Sequence, residues 1–235
     1  MEFGKLSTPT LKELFIQELE NRILSGKMEI GSKLPTEREL ADMMQVSRSV
    51  VNGGIVEMAK KGFLIIKPRI GTFVADYRRN GSLETLISIM SYNGGMLRKS
   101  EIKSILEVRI LMDTLAVQLA IPKITKDELN LLKDRLDQLG KAKTTEQAAE
   151  QAFHFHHELS IISGNTLLPL IFNSSRLPIT SLWERYCRIY GISTLYQNTT
   201  MLYESIEKRD IEGAIDVINR TIQNTISGEN QIYTE

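Results

Sequence analysis

The sequence is poor in the residues that mark several classes of protein. It has a single cysteine, Cys187, which excludes an intramolecular disulfide framework and predicts a reducing cytoplasm. The N-terminus has no basic segment followed by an apolar run, so no signal peptide is expected. The longest uncharged stretch, Leu159–Ser175, contains Gly164 and Pro169 and therefore does not predict a membrane span.

Net charge is absent as well, because 29 Lys and Arg balance 29 Asp and Glu. The charges are unevenly distributed along the chain. Residues 1–79 carry 13 basic and 10 acidic side chains, and the remainder carries 16 and 19. A basic excess in the N-terminal part is expected if that part binds phosphates. The length of 235 residues and the apolar fraction of 42% predict one or two globular domains.

Residues 34–74 predict two short helices followed by a β-hairpin. Thr36 begins the first helix with a capping box, and Ser47 caps the second helix. Gly62 ends the second helix, and two β-rich runs around a Pro/Gly turn follow it. A helix predicted over 10–25 would pack on the other two. The pattern is that of a winged helix-turn-helix domain with three helices and a hairpin.

This arrangement is typical of DNA-binding domains. In such domains the second of the two helices enters the major groove of the DNA. An Arg can bind guanine through two hydrogen bonds, and an Asn can bind adenine in the same way. The alternative is that the charged residues here are ordinary solvated side chains. The candidates are Ser47, Arg48, Ser49 and Asn52 for base contacts, and Arg38, Lys67 and Arg69 for phosphate contacts.

The stretches LPTEREL, SRSVV, KGFL and GTFV resemble the N-terminal domain of GntR-family bacterial transcription regulators over residues 9–75. The chain departs from that family at Asn52, where a second Arg is usual, and at Gly53-Gly54, where helix-favouring residues are usual. The glycines cost roughly 1 kcal/mol each relative to Ala. They either let the backbone approach DNA more closely or have no role. The resemblance implies DNA contacts by Arg38, Ser47, Arg48, Ser49, Gly71 and Thr72.

The chain after the wing predicts an all-α bundle. A polar stretch at 76–81 predicts a linker between a DNA-binding domain over 1–75 and a helical domain over 82–235. Caps and periodic apolar positions predict six or seven helices, one of them kinked at Pro178. These helices are expected at about 82–92, 100–120, 126–140, 146–163, 166–190, 199–208 and 210–227.

The helical domain carries no nucleophile elbow, phosphate-binding glycine loop, Cys-rich metal motif or HExxH sequence. Its one dense cluster contains all three histidines, His154, His156 and His157. At roughly 100° per residue, His156 points away from His154. A metal site would need carboxylates from other helices, and the alternative is one interior and two surface histidines. The alternative interpretation is a helical metal-binding or enzymatic module with an accessory DNA-binding domain. This cluster is its only support.

The C-terminal half resembles the helical effector domain of FadR-like GntR regulators through EVR at 107–109, FHHELSIISGN at 155–165 and AIDVI at 214–218. Many members of that branch bind a divalent metal through one Asp and three His. Here only His156 matches, because the other three positions are Ala152, Thr199 and Arg220. The resemblance implies that the metal has been lost and the pocket retained.

The expected effector site therefore contains Arg109, His156, Thr199 and Arg220. Two guanidinium groups would suit a carboxylate or phosphate, although a structural ion pair with a neighbouring helix is the alternative for Arg109. Some relatives without the metal bind long-chain acyl-coenzyme A, so the resemblance implies this as a further class of effector. The segment GSLETLISIM at 81–90 resembles that subgroup.

The sequence as a whole predicts a cytoplasmic transcription regulator rather than an enzyme. A homodimer would match a palindromic operator in double-stranded DNA, with half-sites about one helical turn apart. A small-molecule effector in the helical domain would favour one relative orientation of the two DNA-binding domains through residues 76–92. No cofactor and no membrane partner are expected.

Overall fold

The computed structural model describes residues 9–82, 84–85, 88–89 and 99–232. The chain divides into two compact units, Met1–Met96 and Leu97–Glu235, each with its own hydrophobic core. The helix expected over 82–92 lies largely outside the described residues. Elsewhere the mainly α fold is confirmed. No helix in the described ranges is both long enough and apolar enough to cross a bilayer.

The first unit is the predicted winged helix-turn-helix. Thr36 forms the expected capping box with Glu39, and the Ser47 side chain caps the recognition helix. Gln45 joins the two helices in the left-handed conformation with φ of 54°, which makes the connection tight. The elements are α1 (Leu11–Leu24), α2 (Glu37–Met44), α3 (Arg48–Lys60), β1 (Leu64–Lys67), β2 (Gly71–Val74) and α4 (Tyr77–Asn80), the last within the segment predicted as linker.

The hairpin is held on its outer edge by the chain that precedes α2. β1 and β2 pair antiparallel, with Leu64 opposite Val74. The outer edge of β2 is occupied, because Leu34 N donates to Thr72 O at 2.8 Å and Val74 N donates to Ser32 O at 2.9 Å. A paired edge fixes the position of the wing relative to α2.

The core of the first unit forms where α1 crosses α3. The buried line on α1 contains Phe15, Ile16 and Leu19. Leu14 is 46% exposed, because the buried face of α1 extends towards Ile16. A Cβ at Gly54 would lie 2.3 Å from the Phe15 ring. Gly54 is therefore required by the close crossing of the two helices, a reason that the sequence did not suggest.

The second unit contains seven helices within residues 99–232, where six were expected, because the helix predicted over 166–190 is two helices. They surround one apolar core, and α7 is central because it packs against α5, α6, α8 and α9. The helices are α5 (Lys99–Ala120), α6 (Lys126–Gly140), α7 (Thr145–Ile162), α8 (Leu168–Ser174), α9 (Arg176–Tyr190), α10 (Ile192–Glu207) and α11 (Ile211–Ser227).

Two helix boundaries differ from the expected ones. The kink predicted at Pro178 is instead a break at Ser175, which separates α8 from α9. Pro178 lies in the first turn of α9, where a helix makes no use of the backbone N–H that proline lacks. α10 begins at Ile192, directly after Gly191, and therefore starts earlier than the helix predicted from residue 199.

The two adjacent glycines of α3 allow a matched test of the helix crossing. Gly54→Ala should lower the free energy of unfolding by about 1–3 kcal/mol, because the methyl group must displace the Phe15 ring. Gly53→Ala is the control, since its methyl group would meet only the Lys12 side chain, at 3.7 Å. It should stabilise α3 by up to about 1 kcal/mol.

Urea unfolding of the full-length protein by circular dichroism would measure both effects. The fluorescence of Trp183, the single tryptophan, separates out the unfolding of the second unit. Equal effects of the two substitutions would contradict the constraint assigned to Gly54.

Candidate DNA-binding surface and ligand cavity

The residues predicted for base contact lie together at the start of α3. Ser47, Arg48, Ser49 and Asn52 are all exposed, and the buried positions of this helix lie on its opposite side. The Ser47 hydroxyl oxygen accepts a hydrogen bond from the Val50 backbone N–H at 3.3 Å, so it is committed to capping. The cluster has the exposure that contact with base edges requires.

The residues predicted for phosphate contact are exposed on α2 and the wing. Arg38 is 76% exposed, and its Nε lies 4.0 Å from the Asp42 carboxylate. Such an exposed pair contributes little, so it does not prevent Arg38 from binding a phosphate. Lys67 Nζ lies 4.9 Å from the centre of the Phe73 ring, and Arg69 occupies the turn with φ of 64°.

The wing residues Gly71 and Thr72 are held by the segment before α2. Gly71 has φ of 136°, and a Cβ there would lie 2.5 Å from the Lys33 side chain. A residue larger than glycine would therefore be strained and would push Lys33 aside. Thr72 is anchored by its backbone carbonyl, which accepts from Leu34 N. Both residues fix the shape of the wing.

The second unit contains a cavity of about 50 Å³ between α5, α7, α9, α10 and α11. Eight Leu, Ile and Val side chains line it, with Trp183 on one wall. The polar side chains of the lining come from α5, α7, α9, α10 and α11, and they are Arg109, Asp113, His156, Tyr186, Asn198, Thr199, Thr221 and Thr225.

A buried carboxylate connects the polar groups on one side of this cavity. Asp113 is 1% exposed; its Oδ2 accepts from Arg109 Nε at 3.1 Å, and its Oδ1 lies 3.1 Å from His156 Nδ1. The guanidinium carbon of Arg109 also lies 4.2 Å from the centre of the Trp183 ring. Burial alone would raise the pKa of Asp113, but the attraction of His156 and Arg109 outweighs it and keeps the pKa below its usual value.

A second polar group on the wall is the hydroxyl of Tyr186. It accepts hydrogen bonds from Asn198 Nδ2 and from Asn230 Nδ2, both at 3.1 Å. Burial raises the pKa of Tyr186, so the hydroxyl keeps its hydrogen. Because two amides occupy its acceptor positions, the hydroxyl can only donate to a further group. The C-terminal segment that carries Asn230 is fixed by Tyr190, whose hydroxyl donates to Gln231 O at 2.7 Å.

Three of the four residues expected in the effector site line this cavity, namely Arg109, His156 and Thr199. Arg220 does not. It lies on the exposed side of α11 with Nη2 3.6 Å from Met201 Sδ, while the next residue, Thr221, lines the cavity. A shift of one residue turns a helical side chain by about 100°, which accounts for the difference. The cavity therefore has one guanidinium group instead of the expected two.

Arg109 forms an ion pair with a different partner from the one that was expected. Arg109 does form a structural ion pair, but with Asp113 on its own helix rather than with a neighbouring helix. An Asp four residues after an Arg on an otherwise apolar helix face is a sequence signal for such a pair. Tyr186, Asn198 and Asn230 gave no comparable signal, since three separate segments bring them together.

The histidine cluster does not converge on one point. His156 is buried, as the alternative of one interior histidine predicted, whereas His154 and His157 are half-buried and not at the surface. His154 Nε2 lies 3.9 Å from the Glu150 carboxylate, and Phe153 stacks on His157. Within the described ranges, no three His, Cys, Asp or Glu side chains are placed to share a metal ion.

The donor set around His156 does not fit the divalent metal that many members of the FadR-like branch bind. The buried Ala152 offers no ligand atom, and the Thr199 hydroxyl donates to Leu195 O at 2.9 Å. His156 Nδ1 is occupied by Asp113, and its Nε2 lies 3.5 Å from Arg109 Nη2. A divalent cation bound at that nitrogen would meet a guanidinium group of the same charge sign.

Comparison with known proteins agrees with both units. Residues 11–74 match the model of bacterial regulatory proteins of the gntR family, and residues 104–224 match the model of the FCD domain. The chain belongs to the gntR family of bacterial regulatory proteins. It is a DNA-binding transcription regulator whose helical unit is an effector-binding FCD domain.

This gntR-family protein is similar to several characterised regulators. It is 30% identical to the HTH-type transcriptional regulator LutR of Bacillus subtilis, covering 79% of this chain and 83% of LutR. It is 26% identical to a fatty acid metabolism regulator protein of Shewanella amazonensis, covering 85% and 81%. The solved structure of Lar, which controls the Listeria monocytogenes agr system, has the same fold, with a TM-score of 0.64, 15% identity and coverage of 94% and 97%.

The buried carboxylate predicts a pH-dependent stability. Asp113→Asn should lower the free energy of unfolding by about 3 kcal/mol at pH 7, because Arg109 and His156 would lose their buried counter-charge. Since the folded-state pKa of Asp113 is lowered, the wild-type contribution is present above the unfolded-state pKa of about 3.9 and is lost as the pH falls through the folded-state pKa. The difference between the two proteins should therefore shrink below about pH 4.

Urea unfolding followed by Trp183 fluorescence measures this difference. Asp137→Asn is the matched control, because Asp137 forms an exposed pair with Lys133 at the same helical spacing. It should cost less than about 1 kcal/mol. An Asp113→Asn effect that is the same at pH 3 and pH 7 would contradict a charge-based role.

Proposed function

We propose that this regulator acts in the cytoplasm as a homodimer on a palindromic operator, and that a small anion in the FCD cavity controls its affinity for DNA. The observation that carries the effector part is the buried guanidinium of Arg109, which lies at the wall of the cavity. The cytoplasmic location follows from the DNA-binding unit, because the operator lies there.

The charges of the lining support an anionic effector. Asp113 faces two basic side chains, Arg109 and His156, so the acidic group is already satisfied inside the protein. The hydrogen bonds of Arg109 within the described residues use Nε and Nη2, which leaves Nη1 for a ligand. Tyr186 offers an O–H donor on another helix. A guanidinium N–H and a phenolic O–H, donated from two different helices, suit a carboxylate or a phosphate.

We further propose that this site works without a divalent metal. The apolar Ala152 stands at the position of the family's Asp ligand, and a guanidinium group lies beside the single matching histidine. In this interpretation Asp113 has taken over His156 as a hydrogen-bond partner. The anion then binds to Arg109 directly rather than to a metal ion.

The size of the cavity favours a small effector over an acyl chain. Since roughly 10–15 Å³ of such space holds one water molecule, a cavity of about 50 Å³ has room for about four water-sized groups. That is the size of acetate or inorganic phosphate. An acyl-coenzyme A effector is the second candidate, because relatives 26% and 27% identical are named fatty acid metabolism regulators. It would require the cavity to open considerably.

The outer face of α5 supports the homodimer. Four apolar side chains lie along it at helical spacing and are exposed: Val108 at 51%, Leu111 at 70%, Leu115 at 38% and Leu119 at 38%. An apolar stripe of this kind is typical of an interface. A second copy of the chain would cover the stripe symmetrically, and a two-fold protein matches a palindromic operator.

The role we propose is regulatory and not enzymatic. The enzyme alternative depended on the histidine cluster, and the side chains of that cluster have separate partners. His156 pairs with Asp113, and His154 lies beside Glu150. The cavity contains neither a nucleophile next to a base nor a pair of carboxylates, among the described residues.

Selection of binding sites from random duplex DNA tests the DNA part of the proposal. The full-length protein at roughly physiological salt should enrich a short palindrome whose half-sites lie about one turn apart. Arg48→Ala should weaken binding to that site by about 1–3 kcal/mol and relax the base preference at one position of each half-site.

Arg188→Ala is the matched control, because Arg188 is an exposed cation of the FCD unit. It should leave both affinity and base preference unchanged. Enrichment of a single non-repeated site would contradict the homodimer. Unchanged base preference in Arg48→Ala would contradict the assignment of α3 as the recognition helix.

A further inference from the structure

The side chain of Asn52 is held by a partner on another helix. Its Nδ2 donates to Glu37 Oε1 at 3.1 Å. Asn52 lies in the second turn of α3, and Glu37 is the first residue of α2. The hydrogen bond therefore joins the recognition helix α3 to α2, on the exposed side of both helices.

Glu37 has a simpler role that must be separated from any effect on Asn52. An acidic residue in the first turn of a helix interacts favourably with the helix dipole, which stabilises α2 slightly. Glu39 in the same turn already closes the capping box with Thr36. The start of α2 is therefore secured without Glu37, and the contact with Asn52 is the interaction that Glu37 alone provides.

The chemistry of an Asn side chain explains what this contact can do. An Asn amide binds adenine through two hydrogen bonds: its oxygen accepts from the N6 amino group, and one of its N–H groups donates to N7. The amide carries two N–H groups, so one is left over. A carboxylate can only accept, so it can occupy this remaining N–H but cannot replace the N–H that donates to adenine N7.

The hydrogen bond also determines which end of the amide faces the base. A free Asn amide can rotate by 180° about its last side-chain bond at little cost, which exchanges its oxygen and nitrogen. In the exchanged orientation the amide oxygen would face the Glu37 carboxylate, and two acceptors repel each other. Glu37 therefore selects the orientation that leaves Oδ1 and one N–H pointing away from α2.

We propose that Glu37 is a positioning residue that orients the Asn52 amide for adenine, so that the pair specifies an A·T base pair in each half-site. This inference depends on the proposed function, because it requires α3 to lie in the major groove. It assigns a consequence to the Asn that replaces the family's usual Arg. An Arg at this position would favour guanine instead.

The proposal predicts opposite changes in general affinity and in base preference. Glu37 carries a negative charge close to the DNA phosphates, so its removal should not weaken non-specific binding and should raise it slightly. Glu37→Ala should nevertheless reduce the preference for adenine at one position per half-site by about tenfold. A residue that merely stabilised α2 would instead weaken binding at every position equally.

The test is selection of sites from random duplex DNA with four full-length proteins: wild type, Glu37→Ala, Asn52→Ala and Asp42→Ala. Asp42 is the matched control, since it is an exposed acid on the same helix, 77% exposed, whose ion-pair partner is Arg38 and not Asn52. Glu37→Ala and Asn52→Ala should lose the adenine preference at the same position and retain the others. Asp42→Ala should retain all of them.

A double substitution provides the second readout. Glu37→Ala combined with Asn52→Ala should have the same base preference as Asn52→Ala alone, because Glu37 acts only through that side chain. A palindrome enriched by wild type whose base preferences survive Glu37→Ala would overturn this inference and leave the proposed function intact. A stronger adenine preference in Glu37→Ala would also overturn it, since Glu37 would then be withholding Asn52. Wild-type protein that enriches no site would overturn both.

Discussion

The ligand cavity depends on the interactions that the carboxylate of Asp113 makes. It lies on α5, is 1% exposed, and binds Arg109 on its own helix and His156 on α7. A buried charge is costly unless it is paired, so the loss of any one of the three side chains should destabilise the unit. The same contacts place a guanidinium group at the cavity wall and occupy both nitrogens of the His156 imidazole. One network therefore determines both the stability and the chemistry of the site.

A different constraint governs the DNA-binding unit, where the geometry of α3 satisfies two sets of contacts. Its buried side must approach α1 closely enough for Phe15 to pack on Gly54. Its exposed side carries Arg48, Ser49 and Asn52, and the last of these is joined to α2 through Glu37. Packing thus fixes the helix, and a polar contact fixes a side chain on it. Recognition of DNA depends on both, because base contacts require a defined position and a defined orientation.

The sequence predicted the elements better than the cavity. Capping boxes and glycine stops are local signals, so the helices around Thr36 and Ser47 could be predicted from neighbouring residues alone. The need for Gly54 could not, because it depends on a helix crossing. Arg109 and His156 were expected in the cavity, whereas Arg220 was placed one residue out of register. The hydrogen bonds of Tyr186 with Asn198 and Asn230 could not be predicted, because only the tertiary fold brings these residues together.

A titration with small anions in the presence of EDTA would test the central claim, that Arg109 binds an effector without a metal. Trp183 is the natural probe, because the Arg109 guanidinium lies over its ring. Acetate or inorganic phosphate should change its fluorescence saturably in wild type. Arg109→Gln should weaken the response roughly 10–100-fold, the effect of losing one charged hydrogen bond, and the exposed control Arg176→Gln should not. Saturable binding that appears only after a divalent metal is added, or an unchanged response in Arg109→Gln, would contradict the account.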